Sequence, residues 1–189
     1  MRVAFERQTP CTNGGYLRLL GLWLAAANHI DEPILPSLPT PALSYFCTLE
    51  VDLSRPVSVG PSAAGTKRVI PIKGGRVHGP KISGRILDMG ADWQMILEGG
   101  IAELDARYAF QTDDGAVIEI RNFGIRHGPA DVIEKLAAGE PCPPQSYYMR
   151  SGARLETGHP DYAWINKTMF VGTGARLASA VHIDLYAID

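Results

Sequence analysis

The sequence predicts an all-β domain, either a closed antiparallel barrel or a sandwich. Three observations lead there. After Ala42 the chain falls into many short runs with a hydrophobic period of two, Gly- and Pro-rich turn signals separate them, and only one segment has the pattern of a helix.

The first run is the clearest. Tyr45, Cys47, Leu49, Val51 and Leu53 alternate with Phe46, Thr48, Glu50 and Asp52, as a half-buried strand requires. Further runs follow at Arg68–Ile72, Arg76–Leu87, Trp93–Leu97, Ile101–Gln111, Ala116–Phe123, Ser146–Arg150, Ala153–Glu156 and Ala163–Gly172. The last is Val181, Ile183, Leu185 and Ala187, alternating with His182, Asp184 and Tyr186. The exception is ADVIEKLAAGE (Ala130–Glu140), where Val132, Ile133 and Leu136 share one helical face and Gly139 stops the turn.

The stretch GGRVHGPKISGRILDMGADWQMI (Gly74–Ile96) is a strand interrupted by glycines. Glycines inside a strand mark bends or bulges, so Gly74, Gly75, Gly79 and Gly84 allow one long strand to coil around a barrel. Two shorter strands joined at HGPK suit a barrel equally well.

The sharpest pairing expectation concerns IAELDARYAFQTDDGAVIEIRNFGI. A three-residue loop, Asp113-Asp114-Gly115, sets Thr112 opposite Ala116, Phe110 opposite Ile118 and Tyr108 opposite Ile120. Arg107 then stands opposite Arg121, and the repulsion is relieved by diagonal neighbours, Glu119 for Arg107 and Asp105 for Arg121. A solvated, ion-paired outer face is the plainer reading of these charges. If the same face lines a lumen, Asp105 becomes a candidate general acid or base and the guanidinium groups can hold an oxyanion.

Three other clusters carry polar chemistry. In GADWQ, Asp92 is either a turn residue or a second acid–base candidate, and Trp93 is core or an aromatic wall. Tyr148 and Arg150 share a face in SYYMRSGARLETG, as do Trp164 and Asn166 in YAWINKTMF. For each, ordinary packing or a surface hydrogen bond is the simpler explanation.

Composition excludes several classes. The 189 residues are 46% hydrophobic and 20% charged, with a net charge of -2, so nothing draws the chain broadly to nucleic acid or an anionic membrane. Cys11, Cys47 and Cys142 form no CxxC pair or disulfide framework. The five histidines, His29, His78, His127, His159 and His182, have no ligand spacing, so no metal and no cofactor are expected. No hydrolase elbow or phosphate loop occurs, and GTGAR (Gly172–Arg176) is too short for a dinucleotide fingerprint.

Residues 1–41 stand apart as an N-terminal extension with a Pro-rich linker, DEPILPSLPTP, ahead of a domain spanning 42–189. The apolar run from Leu19 to Ala27 falls short of the ~20 residues that span a bilayer. It has the outline of a secretory signal, but the lead before it is long and holds Glu6, Pro10, Gly14 and Gly15. An appended helix or extension, with a cytoplasmic location, is the preferred reading. A homo-oligomer is compatible with it.

Taken together, PIKGGRVHGPKISGRILDMGADWQ, ELDARYAFQTDDGAVIEIRNFGIRHG, YYMRSGARLETG and YAWINKTMFVGTGAR resemble the proteins grouped as domain of unknown function 3237, or UPF 0311, from about Leu43 to Ile188. The resemblance implies a single closed antiparallel β-barrel with one short helix, similar in outline to calycin or allene-oxide-cyclase barrels. Its matched polar positions are Asp92, Trp93, Asp105, Arg107, Arg121, Asn122, Tyr148, Arg150, Trp164 and Asn166.

These readings combine into one functional expectation: a cofactor-independent barrel enzyme acting on a small oxygenated organic molecule. Isomerase, cyclase or lyase chemistry beside a carbonyl fits best. Asp105 moves the proton, with Asp92 second, while Arg107, Arg121 and Arg150 hold negative charge. Asn122, Tyr148 and Asn166 orient the substrate between Trp93 and Trp164. The competing expectation is a barrel that binds its small molecule and releases it unchanged.

Overall fold

The structure is a computed structural model, described here for residues 37–189. The extension, its apolar run and most of the linker lie outside the described residues.

Nine strands form one antiparallel sheet: β1 (Leu43–Leu53), β2 (Val57–Ser62), β3 (Gly65–Gly79), β4 (Ile82–Ile96), β5 (Ala102–Thr112), β6 (Val117–His127), β7 (Tyr148–Glu156), β8 (Phe170–Arg176) and β9 (Ala180–Ile188). Their order is β1-β9-β8-β7-β6-β5-β4-β3-β2, and β1 also pairs with β3. That last pairing closes eight strands into a barrel and leaves β2 outside the ring. Closure satisfies the backbone donors and acceptors that an open sheet would expose at its edges. One edge of β3 serves two partners, pairing with β1 over Ile72–His78 and with β2 over Gly65–Val69, while its other edge pairs with β4.

The interrupted stretch resolves into two long strands joined by a tight turn at Pro80 and Lys81. Of the two alternatives for Arg76–Leu87, the division at HGPK is the one found, because the proline there cannot donate to a ladder. Each strand is also bent. The β3–β4 register shifts between Pro71 and Gly75, and the β4–β5 register shifts between Ile86 and Gly90. Gly75 and Gly90 sit at these bends with φ of 132° and 90°. A Cβ would fall on the Glu50 carbonyl oxygen at the first and on the Arg107 carbonyl oxygen at the second. Only glycine meets both demands.

The β5–β6 hairpin has the expected register throughout. Arg107 faces Arg121, Tyr108 faces Ile120 and Phe110 faces Ile118, while the Thr112 N–H donates to the Ala116 carbonyl at 2.9 Å. Gly115 takes a positive φ of 96° in the loop.

One expectation fails locally, and one strand had no counterpart among the expected runs. The first half of the expected strand Ala163–Gly172 belongs to a 3-10 segment, Pro160–Lys167, that begins at a proline with preset φ, and only its end, from Phe170, is strand. β2 gave no alternation to read: its one partly buried residue is Gly60, and Val57 and Val59 are exposed. The helix α1 (Ala130–Ala138) is present, with Gly139 at φ 80° closing its end and Leu136 buried.

The lumen is divided along the barrel axis. One half is solid: Leu49, Phe110, Ile118, Ile120, Leu155, Phe170 and Leu185 are all buried to 1% exposure or less. Burying each such side chain stabilises by roughly 1.5–3 kcal/mol. Trp164 and Phe46 stack edge-on at 5.5 Å and close that half, with Phe170 5.0 Å from Phe46. The other half is polar. There α1 lies beside the turn between β4 and β5, with Ile133 against Gly100.

Candidate functional site

The polar half arises from a change of residue type along a constant face. On β6 the inward positions run Ile118, Ile120, Asn122, Gly124, Arg126. On β8 they run Phe170, Gly172, Gly174, Arg176, and on β3 Arg68 shares the face of Ile70 and Ile72. Small residues leave room and arginines close the end. The result is a narrow cavity of about 40 Å³, bordered by Asp92, Gln94, Tyr108, Asn122, Arg126 and Arg176, with Ala106 and Gly124 opposite apolar walls of Val51, Ile72 and Ile183.

A hydrogen-bonded relay fixes the acid. Arg68 Nε donates to Gln94 Oε1 at 2.8 Å, and Gln94 Nε2 donates to Asp92 Oδ2 at 2.5 Å. The backbone N–H of Asp105 donates to the other oxygen, Asp92 Oδ1, at 3.1 Å. Burial still pushes the Asp92 carboxyl above its ordinary value, outweighing these two bonds and the pull of Arg126 and Arg68. A carboxyl so placed exchanges protons nearer neutrality than a surface aspartate.

Arg126 is the most exacting group. It is 7% exposed, and its Nε has no partner. Burial lowers its pKa to about 10, helped by repulsion from Arg68 and Arg176. Burial likewise lowers Arg68 and Arg176 from the usual guanidinium range. Among the described residues none of the three has a carboxylate within ion-pairing distance. Arg176 is held by its own loop, donating to the Ala180 carbonyl at 3.0 Å. Two more cavity-lining atoms, Tyr108 Oη and Asn122 Oδ1, are buried without partners. Burial raises the Tyr108 hydroxyl pKa, with Cys47 and Asp92 adding to it, so Tyr108 is a neutral donor in search of an acceptor. Cys47, pushed up to about 12 by burial and then by Asp184, is an inert thiol.

Of the residues expected from sequence, Asp92 and Asn122 stand in this lumen. Asp105, Arg107 and Arg121 do not. Their face is outside: Arg107 Nη2 pairs with Glu119 at 2.7 Å and Arg121 Nε with Asp105 at 3.4 Å, in the diagonal arrangement expected, and all four are solvated. The inward alternative for that face is corrected, because the apolar alternation Leu104, Ala106, Tyr108, Phe110 claims the interior. Asp105 reaches the site only through its backbone N–H.

Trp93 is 51% exposed on the outer face of β4. Tyr148 and Arg150 are exposed on β7, with the guanidinium 5.2 Å from the Tyr148 ring centroid, and Arg150 meets the cavity only at its border. Trp164 and Asn166 belong to the opposite end of the barrel, and Asn166 staples a loop through both the N–H and the carbonyl of Thr157. Arg68, Gln94, Tyr108, Arg126 and Arg176 were missed by the sequence reading. The available signal was a polar residue on the same parity as buried aliphatics.

Among the described residues no group of three or more His, Cys, Asp and Glu is placed to hold a metal ion, and no helix is long and apolar enough to cross a membrane.

The model of a family described as "Protein of unknown function (DUF3237)" matches residues 41–188. The chain belongs to this family. It is 44% identical to a UPF0311 protein of Rhodopseudomonas palustris over 79% of this chain and 98% of that one. A crystal structure of a beta-barrel like protein from Acinetobacter baumannii is 39% identical, with a TM-score of 0.73 over 82% of this chain and all of the other. A crystal structure described as an enzyme from Penicillium herquei shares the fold at 21% identity and a TM-score of 0.61, over 82% of this chain and all of the other. The DUF3237 segment thus coincides with the closed barrel, and residues 1–40 precede it.

Proposed function

We propose that the polar half of the lumen binds a small oxygenated organic molecule and that Asp92 moves a proton at carbon beside its carbonyl. The observation that carries this reading is the set of three buried, unpartnered polar atoms bordering one cavity: Tyr108 Oη, Asn122 Oδ1 and Arg126 Nε. A buried polar atom without a partner costs about 1–3 kcal/mol, and a bound ligand that pairs with all three recovers that cost. Tyr108 and the arginines donate to oxygen, so negative charge that develops on a carbonyl oxygen during C–H deprotonation is favoured there. Asp92 takes the proton as a carboxylate and returns it as the acid. Isomerisation, cyclisation and elimination all begin with such a step.

Binding without turnover is the second reading. It is favoured by the fact that both Asp92 oxygens already accept hydrogen bonds, which holds the group still.

The test is proton exchange. The full chain is incubated in D₂O with keto acids, lactones and hydroxylated aromatics, and each compound is weighed by mass spectrometry. The expected result is gain of deuterium beside the carbonyl of at least one compound, slowed by roughly 10²–10⁴-fold in Asp92→Asn. Arg107→Ala, altered on the outer face, leaves the rate unchanged. Exchange that survives Asp92→Asn overturns the role of Asp92; saturable binding without exchange establishes the second reading.

A further inference from the structure

The geometry points to a ligand that is already an anion, a small organic carboxylate whose head group is taken in by Arg126 between Arg68 and Arg176. The inference deepens the proposed function and rests on its placing the ligand in this half of the lumen. Four features of the barrel carry it.

The first is charge. Three guanidinium groups gather at one end of the lumen: Arg126 and Arg176 border the cavity, Arg68 stands behind Gln94, and among the described residues Asp92 is the only carboxylate that borders the cavity. With Asp92 ionised the site holds a surplus of two positive charges, and with Asp92 protonated a surplus of three. A buried cation is tolerated only when paired, and among the described residues Arg126 has no carboxylate within ion-pairing distance. An anionic ligand supplies the missing partner.

The second is donor geometry. The planar guanidinium matches a carboxylate better than a spherical ion, and the Arg126 Nε edge has no partner within the fold. Arg68 and Arg176 keep some of their donors engaged with Gln94 and the Ala180 carbonyl, so they add field more than contacts.

The third is size. A water-sized occupant needs about 10–15 Å³ of such space, so a cavity of about 40 Å³ takes about three water-sized groups. A carboxylate head group fits that space.

The fourth is the way in. Arg68 and Arg176 are only partly buried, so the barrel opens to solvent beside them. The organic remainder of the ligand extends toward that opening along the apolar lining of the cavity, which includes Leu53.

The experiment uses the full chain and matched probes: acetate, pyruvate and benzoate against acetamide, pyruvamide and benzamide, with sulfate as an inorganic control. Binding is read by calorimetry and by amide shifts in NMR. At least one carboxylate is expected to bind tenfold or more tightly than its amide, and to weaken as salt is raised. Arg126→Met should erase that difference. Asp92→Asn should tighten carboxylate binding, because it removes a like charge, although the same substitution slows proton exchange. Equal affinity for acid and amide overturns the anionic assignment and leaves the lumen site standing. Sulfate binding as tightly as the carboxylates overturns the match to a small planar head group. No binding by any probe, in the wild type or in Asp92→Asn, overturns both readings.

Discussion

Gln94 and Asp92, two residues apart on β4 and both turned inward, share a hydrogen bond of 2.5 Å from Nε2 to Oδ2. Because Gln94 Oε1 is at the same time claimed by Arg68 Nε, the amide cannot flip without losing a charge-assisted bond. The arginine therefore fixes which end of the amide meets the acid, and the amide delivers a donor to it.

The first prediction follows from that donor. The Gln94 bond lowers the Asp92 pKa, opposing burial. Gln94→Leu removes it and leaves a similar volume, so the Asp92 pKa should rise further. Titration of the carboxyl carbon by NMR reads the change directly. A pKa that stays put or falls would show that Arg68, once released, replaces the amide at Asp92.

The second prediction concerns stability and pH. Burial raises the Asp92 pKa in the folded chain above its unfolded value, so the folded state binds this proton more tightly. The associated stability is fully present below the unfolded value, roughly 3.9, and is lost as pH rises through the folded pKa. The side-chain amide introduced by Asp92→Asn does not titrate. Urea unfolding between about pH 4 and about pH 8 should therefore show the wild type losing ground to Asp92→Asn as pH rises, then a constant difference once Asp92 is ionised. A difference that narrows with rising pH contradicts the direction of the shift.

How far the sequence revealed this site depends on which residues are asked about. The β5–β6 register was readable down to Arg107 opposite Arg121, because loop length and apolar parity agreed there. The same parity, extended six residues along β6 from Ile120, places Arg126 inside, but a lone arginine at a strand end ordinarily meets water, which hides the signal. Charge density drew attention instead to Asp105, Arg107 and Arg121, where many charges gather because that face is solvated. Arg68 and Gln94 face each other across the β3–β4 hairpin, but Arg126 and Arg176 lie on strands far along the chain, and only closure of the barrel brings Arg176 to the same end. Asp92 was legible as a candidate, but its depth was not, since the bends at Gly75 and Gly90 decide which way β4 carries it.

The last prediction is that the site costs stability. Arg126 is almost fully buried, and its pKa of about 10 lies well below the ordinary guanidinium range. A difference of that size corresponds to about 3 kcal/mol against the folded state at neutral pH, shared between desolvation and repulsion by Arg68 and Arg176. Arg126→Met keeps much of the volume and removes the charge, so it should stabilise the protein. At ~2–4 °C per kcal/mol, Tm at pH 7 should rise by several degrees. The sign has a second check. Between about pH 10 and the unfolded value, the unfolded chain holds this proton and the folded chain does not, so stability rises with pH and the wild type recovers ground. Differential scanning calorimetry of both proteins at neutral and alkaline pH measures the two effects together. A lower Tm for Arg126→Met at neutral pH would mean that partners inside the fold already offset the buried guanidinium, and the case for an anion site would go with it.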